Sequence, residues 1–395
     1  MKESSLNNLY HSFWKDNFIN AFAFAILLSL LFGFAKHSLD TSTSENTVRA
    51  GDFAAFYAAG ELARTQPNQL YNLESQATVQ KLSFREDGYH VFAYPPFVAL
   101  LYEPLSLLAP YKAKVTYVVI LLFASILSAK ILLEKYQIPI SYKQLLMLLF
   151  AFTPFTIGVF AGQNTAISLL LLTLVLKFLE ERNWLLLGIC TALWNFKPQY
   201  SAICFLILII TTKFNLRFFL GFLLVSLVQM ISSIWLYGLA VIPSWLNLLT
   251  KLGEMNSNSA TNVSKMTSLL SLYRALSNQS SLLGTMIIGG AIISLLVLLR
   301  RHYRNPTFIG PAIVLISPQT GFYDLALILP FVLNLLGKSK SEFVWKYLAL
   351  CLFTYLTLSL QVELHAQILP LFVLTSLLLL PLKSEVQSFK GPAVQ

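Results

Sequence analysis

Asp52 stands at the head of an aromatic, amphipathic run, Phe53, Phe56, Tyr57, Gly60 and Leu62. That run opens the long polar stretch of the chain, Gly51 to Pro96, which lies between two apolar regions. A lone carboxylate in that position has two uses. As an N-cap it accepts backbone N–H bonds and suits the helix dipole. At the membrane-near end of an interfacial helix it is also placed to act as a base on a substrate carried by lipid. Lys197 is the second conspicuous charge: it follows a short apolar run and precedes Pro198. An ammonium at that depth is costly unless it is paired or sits in a cavity, although a lysine at a helix end also snorkels. Gly162-Gln163-Asn164 places adjacent amides between two apolar segments. Such amides bind sugar hydroxyls or cap helix ends. Asn262-Val263-Ser264 lies in an Asn/Ser-rich loop, Arg274 follows in a semi-apolar helix, and Tyr323-Asp324 opens a short apolar run. Tyr94-Pro95-Pro96 forms a rigid extended turn, because proline restricts both itself and its predecessor. His90 and His365 are isolated, and His302 belongs to a basic cluster.

These residues must be positioned by membrane helices. Of 395 residues, 56% are hydrophobic and 12% charged, about half the charge of a soluble domain. Repeated apolar runs near helix-span length predict an all-α, polytopic transmembrane bundle rather than a β-barrel. About twelve spans are expected, at 18–36, 115–133, 144–160, 164–180, 184–195, 199–213, 215–237, 281–300, 306–317, 321–337, 343–362 and 365–382. The first is taken as a retained span, since it is long for a signal-peptide core. Phe97 to Pro110 is left as an interfacial or re-entrant helix. The pairs 184–195 with 199–213, and 306–317 with 321–337, are too short for full spans and suggest broken helices at a cavity. Cys190, Cys204 and Cys351 all fall in apolar segments and behave as small core hydrophobes.

With this layout the whole formal charge of +10 falls on the face that holds the N-terminus. The positive-inside rule makes that face cytoplasmic, so the basic balance needs no nucleic-acid partner. The opposite face collects a large first loop, 37–114, a second long loop, 238–280, and the short polar stretches at 162–164, 195–199 and 317–324. Polar residues inside apolar surroundings cluster there, which points to an extracytoplasmic site in one integral membrane domain, 1–395. There is no His/Cys spacing for a metal, no DxD near that face and no phosphate-binding P-loop.

The motifs together resemble glycosyltransferase family 87. The resemblance rests on Gly51-Asp52-Phe53 with Tyr57-Ala58-Ala59-Gly60, Leu70-Tyr71, Tyr94-Pro95-Pro96 with Pro104-Leu105, Gly162-Gln163-Asn164, Lys197-Pro198-Gln199, Asn262-x-Ser264 and Ser317-Pro318. It implies a GT-C type bundle in the cell membrane that uses a polyprenyl-phosphate sugar, with a lipid or glycan acceptor and no cofactor or metal. The resemblance makes Asp52 the base and maps the family's lysine before proline onto Lys197; in the mechanism expected here Lys197 holds the donor phosphate, joined by Arg274 unless that residue merely snorkels. Tyr57, Tyr94, Gln163, Asn164, Gln199, Asn262, Ser264, Tyr323 and Asp324 are the substrate contacts expected. Members often carry a Trp and a His after Ser-Pro; here the stretch is Phe322-Tyr323-Asp324. The role of that His is unfilled, which leaves the donor or acceptor open to differ from the mannosyltransferase type; the sugar expected is mannose or pentose-like, transferred with inversion. A transporter or lipid-linked sugar flippase would also use broken helices, but has no need of a carboxylate on a large outer loop.

Overall fold

A computed structural model describes residues 49–84, 89–136, 140–257, 267–270, 305–335 and 340–359, with isolated helical positions between 21 and 28 and between 286 and 293. Apart from those positions, the expected spans at 18–36, 281–300 and 365–382 lie outside the described residues, as do Arg274, Asn262 and Ser264. The described residues are helical and contain no β-strand.

The polar stretch and the apolar segment after it fold into three short α-helices. Helix α1 (Phe53–Thr65) is built from small residues and aromatics, α2 (Leu73–Ser83) is capped by Asn72, whose side chain accepts from Ser75 N, and α3 (Pro96–Ser106) begins at the second proline of the turn. Every residue of α1 from Phe53 to Gly60 is buried, because a helix stretch that is apolar or small all round packs on every side. Its neighbours are α2, α3 and the strand-like segment 89–95, and Phe56 stacks on Tyr102 of α3 at 4.6 Å.

Among the described residues two helices are long and apolar enough to cross a membrane, α4 (Pro110–Tyr136) and α10 (Leu216–Tyr237). At 1.5 Å per residue they reach about 40 Å and about 33 Å, against a roughly 30 Å hydrocarbon core. Helices α5 (Tyr142–Ala151) and α6 (Thr153–Phe160) make a third span if taken together, but they meet at 81°. The expected straight span at 144–160 is thus a bent pair. Pro154 withholds the N–H that an unbroken helix needs there.

Helix α7 (Thr165–Glu180) and α10 coincide with expected spans to within a residue. The short elements are also where the sequence puts them. Helix α8 (Trp184–Leu193) runs through a 3-10 turn (Trp194–Phe196) into α9 (Pro198–Thr211), and α10 packs along α8. After α11 (Val241–Ser257) the described residues are 267–270 and then a 3-10 turn (Pro306–Phe308) that leads into α12 (Ile309–Ile316). A 3-10 run (Phe322–Ile328) then leads into α13 (Leu329–Leu335), and α14 (Lys340–Ser359) follows. Three segments surround the site: the head of α1 with 90–94, the α6–α7 turn, and the breaks after α8 and α12.

Candidate functional site

Asp52 is held by a glycine seam. Gly51 and Gly162 both adopt positive φ, +60° and +74°, conformations that glycine takes at little steric cost. They let residues 51–53 lie flat on the α6–α7 turn, where Phe53 N–H donates to the Ala161 carbonyl at 3.2 Å. A Cβ on Gly162 would come within 2.5 Å of the Phe53 Cβ. The Asp52 carboxylate makes no capping bond to its own helix, so the N-cap use of this residue is not the one adopted. Its Oδ1 lies 3.1 Å from His90 Nδ1, with the two side chains 25% and 42% exposed.

His90 reaches Asp52 because α2 clamps its backbone. The Gln80 side-chain amide accepts from His90 N–H at 2.9 Å and donates to the His90 carbonyl at 2.7 Å. One turn earlier Gln76 treats Phe92 in the same way, accepting from its N–H at 2.8 Å. Both glutamines are buried, where unpaired amides would be costly. The segment 90–92 thereby gets on one edge the hydrogen bonds that a β-strand would supply.

Tyr94 bridges the two halves of the site. Its phenol donates to Gln163 Oε1 at 3.2 Å, and its carbonyl accepts from the Tyr71 hydroxyl at 2.8 Å. The Trp245 indole holds the neighbouring Ala93 carbonyl at 3.0 Å. Burial pushes the Tyr94 phenol well above its ordinary value, and the charges of both Asp52 and Asp324 push it further. Tyr94 therefore lies within electrostatic reach of both carboxylates.

Lys197 is not a snorkelling lysine. The 3-10 turn and Pro198 break the helix at this residue. Its Nζ donates to Asp324 Oδ1 at 2.6 Å, with side-chain exposures of 7% and 3%. The other carboxylate oxygen, Oδ2, accepts from Gly321 N–H at 2.8 Å and fixes the head of the 3-10 run. The ammonium also faces the Tyr200 and Tyr323 rings, 4.8 Å and 5.5 Å from their centroids, a favourable cation–π arrangement. Charges from two helix breaks are thus joined in one buried pair.

The remaining expected residues divide by what holds them. Gln163 and Tyr323 belong to this cluster. Gln199 is half-buried in the first turn of α9. Asn164 Oδ1 is bound within the protein, accepting from the hydroxyls of Tyr102 at 2.7 Å and of Tyr117. Tyr57 donates to the Leu108 carbonyl at 3.1 Å. The second long loop does reach the site: Thr267 N–H donates to the Thr320 carbonyl at 2.9 Å, beside Gly321. His90 and the two clamping glutamines were not singled out by sequence reasoning. The signal available was two glutamines one helical turn apart on an otherwise polar helix.

A buried ammonium can hold an anionic group, and a partly open carboxylate can remove a proton. The model of glycosyltransferase family 87 matches residues 92–318. No curated protein and no solved structure matches the chain. The family match includes Tyr94, Gln163, Asn164 and Lys197, whereas Asp324 lies a few residues past its end and Asp52 well before its start. It covers more than half of the 395 residues, and on that extent the chain belongs to glycosyltransferase family 87.

Proposed function

We propose that this glycosyltransferase moves a monosaccharide from a polyprenyl-phosphate donor to a lipid or glycan acceptor at the outer face of the cell membrane, with inversion. The family supports sugar transfer; the donor, the face and the roles below are our reading. On this reading the chain is a GT-C type bundle of about twelve spans, and loops 37–114 and 238–280 form one extracytoplasmic roof. The observation that carries it is the buried Lys197–Asp324 pair at 2.6 Å, with Asp52 held on the α6–α7 turn whose Gln163 accepts from Tyr94, a phenol raised by the charges of both carboxylates.

Asp52 takes the proton of an acceptor hydroxyl, and that oxygen attacks the anomeric carbon through an oxocarbenium-like state. The bond from that carbon to the phosphate oxygen breaks, and its electron pair leaves with the lipid phosphate. Lys197 stabilises the growing charge in a low-dielectric site. An ammonium has three donors. Asp324 takes one of them, so the others serve phosphate. Arg274 is a second candidate for that phosphate. Gln163, Tyr323 and Gln199, with Asn262 and Ser264 of the outer loop, are candidates for sugar hydroxyls.

The test is transfer by membranes supplied with radiolabelled polyprenyl-phosphate mannose or arabinose. Asp52→Asn keeps shape and removes the base, so transfer should fall about 10²–10⁴-fold while the protein remains folded in detergent. Wild-type transfer by a folded Asp52→Asn protein would reject Asp52 as the base.

A further inference from the structure

We infer that His90 is the positioning residue for the Asp52 carboxylate, donating from Nδ1–H to Oδ1 so that Oδ2 faces the acceptor hydroxyl. The inference rests on the reading of Asp52 as base. It starts from three observations. His90 Nδ1 is 3.1 Å from Asp52 Oδ1. Asp52 makes no capping bond that would orient it otherwise. The His90 backbone is clamped on both its N–H and its carbonyl by one buried side chain, Gln80.

The clamp is what separates this contact from a chance surface pair. A pair with both members partly exposed holds itself together weakly, so geometry has to come from elsewhere. Gln80 supplies it on one side, and the seam of Phe53 on Ala161 supplies it on the other. Two independently anchored backbones thus aim an imidazole nitrogen and a carboxylate oxygen at each other. A carboxylate free to rotate loses the alignment that makes it an efficient base; a donor on one oxygen removes that freedom. Which ring nitrogen carries the proton is set by this partner, so the neutral ring is the Nδ1–H tautomer.

Because Gln80 holds main-chain atoms, truncating the His90 side chain leaves the segment in place. The expected result for His90→Ala is a fall in kcat of about 10²-fold, the effect of a roughly 1 Å misplacement of a reacting group, with KM for labelled polyprenyl-phosphate donor unchanged. His90→Asn carries an amide N–H near the Nδ1 position and should recover most of the rate. His90→Gln places its N–H near Nε2 and should not. In an Asp52→Asn background His90→Ala should cost nothing further, as residues acting through one another are non-additive.

A turnover-independent reading comes from nitrogen-15 spectra of the full-length protein in nanodiscs at alkaline pH. Among the five histidines, the signal missing in His90→Asn should show the Nδ1–H tautomer, reverting to Nε2–H in Asp52→Asn. Nε2–H in the wild type would overturn the inference. So would wild-type kcat in His90→Ala while Asp52→Asn is inactive, or equal rescue by Gln and Asn. An active Asp52→Asn protein would instead remove the reading of Asp52 on which the inference stands.

Discussion

The site contains two oppositely built side-chain pairs. Lys197 and Asp324 meet at 2.6 Å with almost no exposure, whereas Asp52 and His90 meet at 3.1 Å with a quarter or more of each side chain open. The distances are similar and the consequences are not. In a dry site an ion pair has lost its water, and breaking it leaves a stranded charge. At an open rim water replaces the partner, so the pair is worth little as stability. The buried pair therefore anchors the two helix breaks, while the open pair can change partners during a reaction.

The contrast is broken most directly through the anchor. Lys197→Met should lose about 3–5 kcal/mol of stability, seen as a large fall in thermal midpoint in detergent, while Asp52→Asn should lose no more than about 1 kcal/mol. Lys197→Met combined with Asp324→Asn removes both charges and keeps an acceptor for Gly321 N–H. This double variant should regain most of the stability but no transfer. Equal losses for Lys197→Met and Asp52→Asn would abolish the distinction. A smaller effect is expected at the seam under the open pair. Gly162→Ala puts a Cβ into Phe53 at a positive φ, so it should cost roughly 1–3 kcal/mol and reduce transfer by displacing Asp52.

Much of the architecture is legible in the sequence because apolar length and proline act locally. The α7 and α10 boundaries, the break at Lys197-Pro198 and the break before Tyr323-Asp324 all follow from runs of residues whose effect does not depend on distant partners. Asp52 and Lys197 stand out for the same reason, as charges in apolar surroundings. Pairings are another matter. His90 looks isolated until α2 turns its glutamines toward it, and Lys197 lies 127 residues from Asp324. Burial of α1 was also hidden, because its aromatics and alanines fit an interface and a core equally well.

Two milder variants sharpen the picture at the rim and behind it. Gln80→Leu leaves the His90 N–H and carbonyl without their side-chain partner; it should cost about 1 kcal/mol and lower transfer more than stability. Tyr102→Phe removes one of two hydroxyls bonded to Asn164 Oδ1. Its cost should be the smallest, about 0.5–1 kcal/mol, with transfer nearly unchanged, both measurable in the same melting and transfer assays.

The separation of Lys197 from Asp324 also sets a schedule. Chains are synthesised at about 5–20 residues per second, so the lysine waits roughly 6–25 s for its carboxylate to be made. During that interval the helices on either side of it are short, and the ammonium they carry has no counter-ion from α12 or the segment after it. The two breaks close on each other only when residue 324 arrives. This buried pair is thus among the last contacts of the described bundle to form, and a nascent chain stalled before that point carries a charge it has not yet neutralised.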